Sequence, residues 1–185
     1  MRRAWPWLAI AAATTLAAFQ LRWQGRLWLC ECSRVLWWTG DAWGSDNSQH
    51  LSDPYSFTHV LHGFVFCGVL AWALPRVGWA WRLALAVSIE ALWEVVENSA
   101  FVINRYREAT LALGYQGDTI INSAGDILAC ALGFLLARRL GLRLTLAAFA
   151  LTEIVLLLWI RDSLLLNVLM LLHPVEAIKA WQMNH

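Results

Sequence analysis

Charge is what this sequence has least of. Lys, Arg, Asp and Glu together make up 15% of the 185 residues, and the formal net charge is only +1. A soluble domain carries about 25% charged residues. So small a balance provides no basic field, and a nucleic-acid partner is not expected. Local catalytic signatures are missing as well. There is no Gly-x-Ser-x-Gly elbow, no phosphate-binding glycine loop, no His-Glu-x-x-His and no Glu-x-x-His. No internal repeat or low-complexity tract is present, which disfavours a transporter built from duplicated halves. With 4 cysteines, a disulfide framework has little material. Cys67 and Cys130 fall inside apolar runs and read as small buried residues. Cys30 and Cys32 form a Cys-Glu-Cys unit that leaves three options open: a labile disulfide, half of a metal site, or two unpaired thiols.

What is abundant is apolar. Hydrophobic residues reach 59%, and 13 tryptophans are many for this length. Trp favours the membrane–water boundary, where its ring is apolar and its N–H stays wet. The apolar residues cluster into runs about as long as a helix that crosses a bilayer. The fold class expected is therefore all-α, a polytopic transmembrane helical bundle of about five spans in one integral membrane domain, 1–185. The spans are 4–21, 56–74, 83–103, 118–137 and 144–160. The first reads as an uncleaved helix rather than a signal peptide, because no Ala-x-Ala site closes it. The tail, 163–182, is too short in its apolar part to cross and reads as an interfacial helix.

Orientation follows from the short loops. With the N-terminus inside, Arg2, Arg3, Arg76, Arg82, Arg138, Arg139 and Arg143 all fall on the cytoplasmic side, and no acidic residue shares those loops. Segments 22–55 and 104–117 are then extracytoplasmic. The expected location is the bacterial inner membrane, multi-pass.

The exceptions to apolarity carry the functional signal, because an ionisable group in hydrocarbon is costly unless paired or hydrated. His59 and His62 stand at i and i+3. Glu90, Glu94 and Glu97 stand at i, i+4 and i+7, with Asn98 beside them. Asp118, Asn122 and Asp126 follow at i, i+4 and i+8. Each set occupies one helical face. In the N-in arrangement His59, His62, Glu94, Glu97, Asp118 and Asn122 share the outer half of the bilayer, while Glu90, Asp126 and Glu153 lie deeper. Their convergence would make one polar pocket open to the outer face. A packing network is the competing reading, although each polar contact between membrane helices contributes under about 1 kcal/mol.

These residues also carry a resemblance. The stretches Asn47-Ser48-Gln49-His50, Phe57-Thr58-His59-Val60-Leu61-His62-Gly63-Phe64, Trp93-Glu94-Val95-Val96-Glu97-Asn98, Arg105-Tyr106-Arg107, and Gly117-Asp118 with Asn122-Ser123 are similar to the signature of the UPF0314 (DUF2585) family of alphaproteobacterial membrane proteins. Cys30-Glu31-Cys32 and the tail from Arg161-Asp162 through Asn167 to His173-Pro174-Val175-Glu176-Ala177-Ile178 fit it too. The resemblance implies a multi-pass inner-membrane protein and brings no activity with it. A looser likeness is to the VanZ-like pattern: a His near a helix start, a Glu-bearing helix, an Arg, then Asp118, Asn122 and Gly125 as Asp-x-x-x-Asn-x-x-Gly. VanZ-like proteins are associated with glycopeptide (teicoplanin) resistance and envelope processes. The paired histidines and extra glutamates here depart from that pattern.

A His beside a carboxylate is a general acid–base unit. The reading is thus a site that binds or modifies a lipid-linked envelope substrate, as an intramembrane hydrolase or transferase. Its catalytic candidates are His59, His62, Glu94, Glu97 and Asp118. Its binding candidates are His50, Asn98, Arg105, Arg107, Asn122 and Asp126, the two arginines meeting an anionic headgroup. Membrane lipid is the expected partner. No metal ligand is assigned and no cofactor is named. The alternatives are a proton, metal or small-solute path continued by Glu90, Asp126 and Glu153, or a non-enzymatic scaffold.

Overall fold

The computed structural model describes residues 4–32, 34–109 and 115–183. They form seven helices and no strand: α1 (Trp5–Trp23), α2 (Ser56–Ala73), α3 (Trp79–Glu97), α4 (Ala100–Ala109), α5 (Ile120–Ile160), α6 (Leu164–Leu172) and α7 (Glu176–Met183). Two of them, α2 and α5, are long and apolar enough to cross a membrane. The basic pair Arg2 and Arg3 lies outside the described residues, as does part of the 104–117 connection.

Local chemistry sets the helix ends, and several differ from expectation. Pro75 stops α2 one residue after its Leu74 cap. The expected 83–103 helix starts earlier and breaks at Asn98, whose side-chain amide donates to the Glu94 carbonyl while its Oδ1 accepts from the Asp118 N–H. That side chain offers the backbone an alternative to another helical turn. The first part of the expected 104–117 connection, 104–109, is helical, as the end of α4. The expected loop between the fourth and fifth spans shrinks to one residue. Gly141, at φ 73° and ψ 171°, interrupts α5 in a conformation essentially reserved for glycine, and Thr145 Oγ donates 2.8 Å to its carbonyl. The single interfacial helix expected at 163–182 is two helices, parted at His173 and Pro174.

Packing joins these elements into one bundle. α2 and the first half of α5 approach so closely that a Cβ on Gly63 would fall on the Cys130 carbonyl oxygen, and one on Gly133 on the Val60 carbonyl oxygen. Ala17, Ala86, Val87, Ile127 and Phe134 close the core between α1, α3 and α5. At one end Trp7 meets Trp79 edge-on at 6.1 Å, and Arg138 stacks 4.4 Å over Trp79. The starts of α1 and α3 and the break in α5 therefore share that end. At the other end the carbonyls of Ser48, Leu27 and Trp28 accept from the N–H groups of Thr119, Ile120 and Ile121. Those contacts cap the first turn of α5 with segment 24–55, satisfying donors a helix start leaves open. Large apolar side chains point outward on every long helix, among them Leu8, Phe19, Val69, Leu92, Leu128, Leu151 and Leu158.

Candidate functional site

Antiparallel α2 and α3 bring two histidines onto one carboxylate. His59 Nδ1 lies 2.5 Å from Glu90 Oε1, and His62 Nδ1 lies 3.0 Å from each Glu90 oxygen. Both rings sit on one face of α2, one turn apart, and pack edge-on at 5.1 Å between centroids. Glu94, one turn along α3, places Oε1 3.5 Å from His59 Nδ1. From α5, Asp126 Oδ2 stands 3.8 Å from His59 Nε2, and Ser56 Oγ holds the other Asp126 oxygen at 2.7 Å. Gly125 gives α5 room beside this cluster, because a Cβ there would strike the Leu51 carbonyl.

The cluster forms the floor of a chamber of about 830 Å³. His59, His62, Glu97, Asp118 and Asp126 line it. Its rim is built by segment 24–55, the 115–119 strip and α6, and Cys30 and Cys32 at that rim are joined as a disulfide. Of the three options the sequence left open, the structure takes the disulfide. One wall is a hydrogen-bonded strip. The Tyr55 hydroxyl and the Asn167 amide both donate to Asp162, and Tyr106 donates to Asn167. Burial, with Glu153 nearby, pushes the Asp162 carboxyl up to about 6. Burial raises Asp53 as well, against the opposing N–H donors of Ser48 and Tyr55.

The other expected site residues stand behind this surface. Glu94 is fully buried against His59 and is not part of the lining. Asn122 donates 2.8 Å to the His50 carbonyl, and His50 Nδ1 accepts from the Leu36 N–H. These two buried residues anchor the rim. Asn98 donates 2.8 Å to Asp118, which Tyr115 also supports. Arg105 donates to the Leu171 and Leu172 carbonyls at the end of α6, and Arg107 to the Tyr115 carbonyl. Neither arginine lines the chamber, where the described basic side chain is Arg26. Glu153 accepts from the Leu164 and Leu165 N–H groups and so caps α6 rather than extending a polar line inward.

Sequence reasoning missed the importance of Glu90. The signal was there: α2 and α3 run antiparallel, so the histidines near the start of α2 must face glutamates in the second half of α3. Tyr55, Tyr106, Asp162 and Asn167 were missed too, because they come from four separate elements with no common spacing.

Comparison with known proteins gives a family match over most of the chain. The family model described as "Protein of unknown function (DUF2585)" matches residues 21–184. A UPF0314 protein of Paracoccus denitrificans is 46% identical over 181 residues, covering 98% of this chain and 94% of that protein. One of Sphingopyxis alaskensis is 49% identical, covering 95% and 94%. One of Rhizobium meliloti is 47% identical, covering 98% and 92%. No solved structure matches.

Proposed function

This chain belongs to the DUF2585 family, and we propose that it is a multi-pass protein of the bacterial inner membrane whose chamber binds and modifies the head of a lipid-linked envelope substrate. The observation that carries the reading is the shared carboxylate: Glu90 orients two histidines on the floor of a chamber with one built rim. Imidazoles held by a buried carboxylate are suited to take and return a proton during acyl, phosphoryl or glycosyl transfer, with the carboxylate fixing their tautomer.

Several features support the membrane placement. The bundle presents leucines and valines outward along its long helices. Exposed tryptophans gather at both ends, Trp5, Trp7, Trp72 and Trp81 at one and Trp23, Trp28, Trp37 and Trp38 at the other. Arg76, Arg82, Arg138, Arg139 and Arg143 all belong to the first end, which the positive-inside rule makes cytoplasmic. The Cys30–Cys32 disulfide and the chamber rim then face the oxidising side. Five passes follow if α1, α2, α3 and the two halves of α5 each cross once. A substrate entering from the outer leaflet would meet His62, Glu97 and Asp118 beneath the rim.

The test is the lipid and lipoprotein profile of a deletion strain carrying His59→Ala, His62→Ala or Glu97→Ala at equal membrane level. Each variant should reproduce the deletion profile. Wild-type profiles in all three would remove the reading.

A further inference from the structure

His59 stands among three buried carboxylates, one of which has no hydrogen-bond partner. Glu90 and Glu94 are each 0% exposed, and Asp126 is 3% exposed. Neither oxygen of Glu94 has a hydrogen-bond partner, although Oε1 lies 3.5 Å from His59 Nδ1. A proton on Glu94 would remove its charge but still leave its O–H and second oxygen unpartnered, a costly state for a buried group. A cation beside His59 would give the buried Glu94 carboxylate the partner that no neighbouring donor supplies.

We infer that His59, His62 and Glu90 hold a first-row divalent metal ion of the zinc class, with Glu94 as a fourth donor in reach. One ligand atom from each of His59, His62 and Glu90 lies within 4.8 Å of the others. Metal–nitrogen and metal–oxygen bonds of about 2.0–2.2 Å set tetrahedral ligand–ligand edges of about 3.3 Å. The His62–Glu90 contacts of 3.0 Å and the His59–Glu94 contact of 3.5 Å bracket that edge. The 2.5 Å contact between His59 and Glu90 has to open by about 0.8 Å to reach it. An outer shell is in place: His59 Nε2 faces Asp126, which Ser56 fixes, the carboxylate–histidine arrangement that orients metal ligands. Two histidines and two carboxylates fill a tetrahedral set, which catalytic zinc can expand to five-coordinate, and His59 and His62 both border the chamber.

The ion would also change what the chamber can accept. Glu31, Asp46, Asp53, Glu97, Asp118 and Asp126 line it against Arg26. That lining repels a phosphate or carboxylate headgroup, and a divalent cation on the floor supplies its counter-charge. The use of the ion rests on the reading of the chamber as a reactive site; its binding does not. Of the two other trios in reach, His59, Glu94 and Glu97 share His59 with this one, and Cys30, Cys32 and His50 offer no thiolate because the sulfurs are joined.

The test is elemental analysis of the full chain, purified in detergent with a tag free of histidine. About one equivalent of a divalent transition metal per chain is expected. His62→Ala and Glu90→Gln should lose it while keeping the wild-type helical circular dichroism, and the exposed-site control His173→Ala should keep it. Where either variant fails to fold, X-ray absorption on the wild type decides, with nitrogen and oxygen neighbours including imidazole expected. Sulfur neighbours, equal metal in wild type and Glu90→Gln, or metal-free wild type whose melting temperature ignores added Zn²⁺, Mn²⁺ or Fe²⁺ would each overturn the inference. A metal-free protein with an active chamber would leave the histidines as acid–base groups.

Discussion

His62 Nδ1 is 3.0 Å from both oxygens of Glu90, so the second histidine of α2 is fixed by a glutamate of antiparallel α3. The same carboxylate also meets His59. Glu90→Gln keeps the size of the side chain but removes the charge that both imidazoles share. Substrate turnover should fall by at least about 100-fold, the lower end of what a positioned acid–base group contributes. Turnover within a factor of two of wild type would take Glu90 out of the chemistry.

Close packing of α2 on α5 gives a stability prediction. Gly133→Ala puts a methyl on the Val60 carbonyl, and Gly63→Ala puts one on the Cys130 carbonyl. Each should cost about 1–3 kcal/mol, the usual range for overpacking. Gly68, on the same helix, has nothing within 4 Å of an added Cβ, and Gly68→Ala should be neutral or stabilising by up to about 1 kcal/mol. Thermal unfolding in detergent reads all three. A Gly133→Ala protein as stable as Gly68→Ala would mean the two helices lie further apart.

Glu153 separates the chamber reading from a conducting path. Its two oxygens cap α6, so Glu153→Ala should lower stability by about 1–3 kcal/mol through two unpaired N–H donors. Glu153→Gln, which keeps one acceptor, should leave chamber turnover intact. Loss of turnover with unchanged melting temperature would favour a polar path running inward.

Asp162 makes stability depend on pH. Its folded value of about 6 lies above the 3.8 of an exposed aspartate, so the folded state binds the proton more tightly. The stabilisation is complete below the unfolded value and is lost as pH rises through the folded one. Between pH 4 and 7 the wild-type melting temperature should fall relative to that of Asp162→Asn. Parallel curves for the two proteins would show that Asp162 titrates normally.

How much of this was legible beforehand differs by element. Most helix positions followed from apolar runs, and the polar faces at 59–62, 90–97 and 122–126 from helical spacing; Asp118, expected on the same helical face as Asn122, instead precedes α5, which starts at Ile120 behind its Thr119 cap. The breaks did not follow. Asn98 ends α3 through a bond to Asp118, and Gly141 spares α5 a loop; both depend on partners or φ values that no window of sequence displays. Convergence of His59, His62, Glu94, Glu97, Asp118 and Asn122 was expected; His59, His62, Glu97 and Asp118 line the chamber, and Glu94 and Asn122 stand behind it. The arginines mislead because a cation near a helix end reads as a headgroup contact. Arg105 in fact serves the α6 carbonyls, a partner more than 60 residues away. Glu90 stands out only when α2 and α3 are read as one antiparallel register, which no single helix's spacing displays.

The proposed activity is that His59 and His62, held by Glu90, modify a lipid-linked substrate presented from the rim side. Its most direct measurement is mass spectrometry of polar lipid and lipoprotein extracts from the deletion strain, incubated with the purified chain or with its Glu90→Gln form. Expected is a species of altered headgroup mass that appears with the wild type and not with Glu90→Gln. The same species with both proteins, or no change with either, would contradict it.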